Sequence, residues 1–236
     1  MEAVEPAGRP DAIVSEDVHG NTIKLKGFLP PDQTQCNSAG AGDFDNDGDL
    51  DVYLACAGSV RNRLDRLYVN DAGRKLTLMR NGVTSRVVRR GVGDNVSIAD
   101  YDNDGRLDIY VANGYGPPFL IHGRRQLLRN VTENDNHWIK FELVGTQDNR
   151  DGVGSRVFAK AGDRFQVRYQ TGGVRSGVQD SKILHFGLGD AKTVDEIIVQ
   201  WPNGSVELFG PVEADAQYEL VQGDGVKTDT AKLPVN

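Results

Sequence analysis

Two nine-residue segments concentrate the chemistry of this 236-residue chain: residues 43–51 read DFDNDGDLD and residues 100–108 read DYDNDGRLD. Aspartates at positions 1, 3, 5 and 9, with glycine at 6, set oxygen donors at a spacing that lets a short loop wrap a hard cation. Calcium takes about 6–8 such oxygens at roughly 2.3–2.6 Å. The side-chain donors expected in the first loop are Asp43, Asp45, Asp47 and Asp51, with the backbone carbonyl of Asp49 at position 7. In the second loop Asp100, Asp102, Asp104 and Asp108 take those parts, with the carbonyl of Arg106. Gly48 and Gly105 allow the sharp turn that a bulkier residue resists. Without a cation the clustered carboxylates repel one another. Two bound Ca²⁺ ions are therefore expected. The bland alternative is that Asp, Asn and Gly simply make solvated turns, and a bound ion could also do no more than brace the fold.

Charge patterning sharpens this reading. The formal net charge is -7, and the two nonapeptides hold nine aspartates and one arginine, so the remainder of the chain is close to neutral. An EF-hand requires a bidentate glutamate at position 12; here that position holds Leu54 and Val111. The loops lead into strands instead of helices. No HExxH, GxSxG, phosphate-binding GxxxxGK[ST] or strand-to-helix GxGxxG string occurs. His137 and His185 lie beside apolar strand residues and read as structural. Arginines gather at Arg61, Arg63, Arg66 and at Arg86, Arg89, Arg90, but aromatic residues are only 7% and do not interleave with them, so nucleic acid is not an expected partner. No apolar run approaches the ~18 residues of a membrane span. Cys36 and Cys56 read by default as buried free thiols, with a disulfide as the alternative in an oxidising compartment.

The elements that must position the loops form a repeat of period 57. Leu50-Asp51-Val52-Tyr53-Leu54-Ala55 corresponds to Leu107-Asp108-Ile109-Tyr110-Val111-Ala112, and, after a three-residue slippage, Leu67-Tyr68-Val69-Asn70 to Leu127-Leu128-Arg129-Asn130. Such periods mark propeller blades or arrays. Alternation of Leu50, Val52 and Leu54, and of Leu107, Ile109 and Val111, gives the period of a half-buried strand. From about residue 136 the texture changes to strands over 137–143, 153–159 and 165–169, an Asx turn at 148–152, and a hairpin of 195–201 and 205–209 joined by Pro202-Asn203-Gly204. The chain is thus expected to be all-β, with two propeller-like blade repeats (22–134) and a sandwich- or barrel-like domain (135–223). Residues 1–21 and 224–236 are expected to be poorly ordered.

The segments GDFDNDGDLDVYLA and ADYDNDGRLDIYVA resemble FG-GAP/VCBS repeats, the calcium-loop blades of integrin-type propellers. The segments NHWIKFELVGT (136–146), NRDGVGSRV (149–157), QDSKILHFGLGDA (179–191) and VDEIIVQWPNGS (194–205) resemble the ASPIC and UnbV family. The resemblance implies an all-β, usually exported, calcium-associated binding protein. Relatives usually carry more repeats and a signal peptide. No signal is visible in MEAVEPAGRP, which is consistent with a cytoplasmic chain or with a processed or truncated secreted one. A propeller needs ~4 or more blades. Two blades would be completed by further copies in a homo-oligomer, or would lean on the C-terminal domain, unless the chain is a fragment.

The leading expectation is a calcium-binding, non-enzymatic recognition or scaffold protein whose rigidified loops support protein or carbohydrate binding. The alternative, resting on relatives encoded in enediyne antibiotic clusters, is an accessory enzyme or chaperone-like factor of natural-product biosynthesis. Calcium would then lie at or near its site. That version needs an open coordination position facing a pocket with converging polar groups.

Overall fold

The computed structural model describes the backbone of residues 12–16 and 22–26, together with residues 36–56, 65–71, 75–79, 95–112, 125–173, 178–230 and 233. Every regular element among them is a β-strand, in several sheets of which none closes on itself. β1 (Ala12–Glu16) and β2 (Thr22–Lys26) form an antiparallel hairpin, so the first 21 residues supply a strand where none was expected. Arg61, Arg63, Arg86, Arg89 and Arg90 lie outside the described residues.

The repeats build two antiparallel sheets. The first holds β3 (Cys36–Gly42), β4 (Asp51–Cys56), β5 (Arg66–Asp71) and β6 (Lys75–Leu78); the second holds β7 (Asn95–Ala99), β8 (Asp108–Ala112) and β9 (Gln126–Leu128). Each acidic segment is the connection between the first two strands of its sheet. The sheets stack face to face like successive blades. Gly40 stands opposite Tyr53 on the first sheet, and Ile98 opposite Ile109 on the second. A Cβ on Gly40 would come within 2.7 Å of the Ile98 side chain, so glycine there permits the close approach. Tyr53, Ala55, Val96, Ile98, Ile109 and Val111 share one buried cluster with Phe44 and Leu107.

This stacking corrects one expectation. The alternation of Leu50, Val52 and Leu54 marks the wrong face of β4: Tyr53 and Ala55 are fully buried, whereas Leu50 is 41% exposed. In β8 the expected residues Ile109 and Val111 are buried and Tyr110 is 39% exposed. Two repeats stacked in the same orientation must use opposite faces at their common interface, so equivalent side chains have opposite fates.

Cys36 and Cys56 stand opposite each other in the β3–β4 register and form a disulfide. The reading of free thiols is thereby overturned. A spacing of 20 residues hides the fact that one cysteine opens a strand and the other ends its antiparallel neighbour.

The C-terminal part contains β10 (His137–Val144), β11 (Arg156–Ala161), β12 (Arg164–Tyr169), β13 (Leu184–Gly189), β14 (Thr193–Val194), β15 (Glu196–Gln200), β16 (Val206–Phe209), β17 (Val212–Glu213), β18 (Ala216–Val221) and β19 (Val226–Thr228). One sheet runs β13-β10-β18, with β10 and β18 parallel, and a larger one runs β12-β11-β15-β16-β19. Ile139, Phe141 and Phe186 meet Val157, Ile197, Val199 and Trp201 in a hydrophobic core between them. The β15–β16 hairpin forms as expected, its turn closed by Trp201 N donating to Ser205 O. The tail expected to be disordered at 224–236 instead supplies β19, which pairs with β16.

Candidate metal centre

The two acidic loops adopt one geometry. In the first, the carboxylate of Asp43 accepts from Asp47 N at 3.1 Å and Gly48 N at 2.9 Å, and Asp51 Oδ2 accepts from Phe44 N at 2.9 Å. In the second, Asp100 accepts from Asp104 N at 3.1 Å and Gly105 N at 3.0 Å, and Asp108 Oδ2 accepts from Tyr101 N at 3.1 Å. Asn46 and Asn103 both take positive φ, 60° and 59°, as do Gly48 and Gly105. Asn and Gly tolerate that region with least strain. The repeat seen in sequence is therefore a repeat of backbone path.

One carboxylate oxygen each from Asp43, Asp45 and Asp51 lies within 4.8 Å of the others, and Asp100, Asp102 and Asp108 form the matching group. Asp47 and Asp104 stand outside these triads: each caps the backbone two residues on, Asp47 Oδ1 accepting from Asp49 N and Asp104 Oδ1 from Arg106 N. The donor set fits a hard divalent cation, since three oxygens converge in each loop. In the first loop Asp49 Oδ2 and Asn46 Oδ1 are also buried without a hydrogen-bond partner, which is costly unless a cation or solvent satisfies them.

Electrostatics agree with the crowding. Burial pushes Asp43 up to about 7, with Asp47 and Asp51 adding repulsion against the favourable Gly48 amide. Burial also raises Asp51 to about 7, opposed by the amides of Asn70 and Phe44. Asp45, Asp47 and Asp108 are raised for the same leading reason. A divalent ion would reverse these shifts by favouring the charged forms.

Both loops are clamped between the repeats and the C-terminal strands. The first is held at its backbone: Gly189 N donates to Asn46 O at 2.8 Å, Arg164 Nη1 to Asp47 O at 2.6 Å, and the amides of Asn134 and Asn136 to Asp45 O. Gly187 of β13 lies flush against this loop, where a Cβ would come within 2.1 Å of Asp43 Oδ2. Carbonyl Gly105 O of the second loop accepts from Asn46 Nδ2 at 3.2 Å and His185 Nε2 at 3.0 Å. Lys140 Nζ reaches Asp100 and Asn103. Asn130 joins the loops directly, donating to Phe44 O and Leu107 O. Asp180 and Ser181 hydrogen-bond the backbone of Ile98 in β7.

Residues 43–111 match the FG-GAP-like repeat family. Residues 145–227 match the family ASPIC and UnbV. The chain carries both, in the order its motifs implied. It is also similar to cartilage acidic protein 1 of Xenopus tropicalis, at 27% identity over 83% of this chain. The mouse and human proteins of that name are similar at 29% and 28% identity, each over 70% of this chain. The chain spans only 24–30% of the length of these relatives. No helix among the described residues is long and apolar enough to cross a membrane.

The acidic loops were visible in the sequence; the residues that the C-terminal strands bring to them were not. Lys140 gave the one readable signal, as a lone cation between Ile139 and Phe141 in a strand. Asn130 was marked by its repeat counterpart Asn70, whereas Gly187 and His185 carried no cue, because their function depends on a contact between distant segments.

Proposed function

We propose that the chain is a calcium-binding, non-enzymatic scaffold in which Ca²⁺ ions lock the FG-GAP blades onto the ASPIC/UnbV domain. The ligands would be Asp43, Asp45, Asp47 and Asp51 with the Asp49 carbonyl, and Asp100, Asp102, Asp104 and Asp108 with the Arg106 carbonyl. The reading is carried by one observation: both carboxylate triads sit where the repeats meet the C-terminal strands. When bound, the ion supplies positive charge that lets the buried carboxylates ionise together. The chain's own residues fix the loop backbones. The first loop is largely buried, whereas Tyr101, Asp102 and Asn103 of the second are exposed, and calcium would hold both rigid in support of protein or carbohydrate binding. The outer sheet faces, with Val52 and Leu54 on one side and Tyr110 on the other, would meet a protein or carbohydrate partner, a further blade or a second copy.

Calorimetry and thermal melts with calcium test this reading. A ligand specific to the native state at 100 times its dissociation constant stabilises by about 2.7 kcal/mol, and Asp45→Ala with Asp102→Ala should abolish the gain. No binding heat and no calcium-dependent rise in Tm would overturn it.

The enzyme or accessory-factor reading has one observation in its favour. A cavity of about 570 Å³ opens beside the first loop, lined by apolar Leu67, Val69, Leu127 and Leu128 and by Asp45, Asp51, Asn130 and Asn134. Its size suits a small ligand. Calcium-dependent binding of an apolar small molecule there would favour this second reading.

A further inference from the structure

The two loops share a backbone but not a charge environment. Lys140 projects from β10 into the second loop, with Nζ 2.8 Å from Asp100 Oδ2 and 3.1 Å from Asn103 Oδ1. It is a closed contact: the side chains of Lys140 and Asp100 are only 5% and 3% exposed. The ammonium also lies 4.9 Å from the ring centroid of Trp138, a favourable position for a cation. Arg129 adds a guanidinium at 2.7 Å from Asp102 and 3.3 Å from Asp104, and Arg106 contacts Asp104 as well. Four aspartates thus face three protein cations.

The first loop has five aspartates, and among the described residues no lysine or arginine nitrogen lies within ion-pairing distance of their carboxylates. The arginine that touches it, Arg164, bonds the Asp47 carbonyl instead. The contrast is sharpest at position 4. Asn103 Oδ1 accepts from Lys140, whereas its counterpart Asn46 Oδ1 is buried without a partner.

We infer that Lys140 is a resident cation of the second loop, which makes the first loop the tight divalent-ion site and the second a weak one. This rests on the calcium reading above. An ion entering the second loop meets a cluster whose charge is largely balanced. It must also draw Asp100 away from a buried ammonium, and a buried charge that loses its partner is strongly disfavoured. An ion entering the first loop meets carboxylates that no cation ion-pairs, with Arg168 acting on Asp43 and Arg164 on Asp47 only from farther off. Lys140 is therefore a positioning and selectivity residue: it holds the second loop on β10 at low calcium, and the ion competes with it.

Calcium calorimetry would count and rank the sites, and Tb³⁺ emission sensitised by Trp138, which packs on Gly105, would report the second loop. Two steps at least tenfold apart in affinity are expected, the tight one lost in Asp45→Ala and the weak one in Asp102→Ala. Lys140→Met, which keeps the stem and removes the charge, should tighten the weak step at least tenfold and leave the tight one alone. Should that variant fail to fold, Arg129→Gln removes an exposed cation from the same loop, and a smaller tightening of the weak step is expected. Two equal steps, or a weak step untouched by either substitution, would overturn the inference while leaving calcium binding intact. Absence of any binding would instead remove the calcium reading itself.

Discussion

Gly105 lies so close to Trp138 that a Cβ on the glycine would fall 1.9 Å from the indole Nε1. The second acidic loop is therefore packed on the C-terminal domain with no room for a side chain. Gly204 supplies an internal control, since it has the same φ of 86° but no atom within 4 Å of its would-be Cβ. Gly204→Ala should cost about 1 kcal/mol, the backbone strain alone. Gly105→Ala should cost that plus the displacement of Trp138, about 1–3 kcal/mol more by the usual cost of overpacking. Denaturant melts of the two variants would measure the difference, and equal losses would mean that the indole moves aside freely.

Tyr53 and Tyr110 are equivalent by repeat yet opposite in burial, at 0% and 39% exposed. Tyr53 also donates to Asp65 Oδ2 at 2.8 Å, and Asp65 in turn accepts from Cys56 N. Tyr53→Ala should destabilise by about 3–5 kcal/mol, the range for large buried aromatics. Tyr110→Ala should stay within about 1 kcal/mol. Similar losses measured in chemical unfolding would contradict face-to-face stacking of the two sheets.

These residues also show what the sequence could convey. The Asp-rich loops, the strand period and the β15–β16 hairpin were legible because each is a local pattern, written in consecutive residues. Which face of β4 is buried was not legible, since Val52 and Leu54 are as apolar as their counterparts and only the stacking direction distinguishes them. Lys140, Gly187 and His185 act on loops some 40–140 residues away in sequence, so their roles follow from topology. The disulfide escaped for the same reason, being fixed by strand register.

Cys36 and Cys56 close a ring that contains the whole first acidic loop. With a sequence separation of 20, the bridge should stabilise by about 3 kcal/mol through restriction of the unfolded chain. Reduction, or the pair Cys36→Ser and Cys56→Ser, should lower Tm. It should also weaken calcium binding at the first loop more than at the second, because β3 and β4 carry that loop. Thiol titration of the denatured, unreduced protein checks the bridge directly. Two reactive thiols per chain would contradict it.

His185 gives the fold a predictable acid sensitivity. Its ring is buried, and desolvation lowers its pKa from 6.5 to about 4 despite the favourable hydrogen bond to Gly105 O. Because that carbonyl can only accept, the neutral ring carries its proton on Nε2. The unfolded chain binds a proton near pH 6.5, whereas the folded chain resists until about 4. Stability from this group is therefore complete above about pH 6.5 and is lost as pH falls toward 4. The gap corresponds to roughly 3 kcal/mol in total, of which about 2 kcal/mol is gone by pH 5. His185→Gln can still donate to Gly105 but does not titrate. The stability difference between wild type and this variant should shrink by that amount between pH 7.5 and 5 in calcium-saturated buffer. A difference that stays constant across the window would show that His185 titrates alike in the folded and unfolded chain.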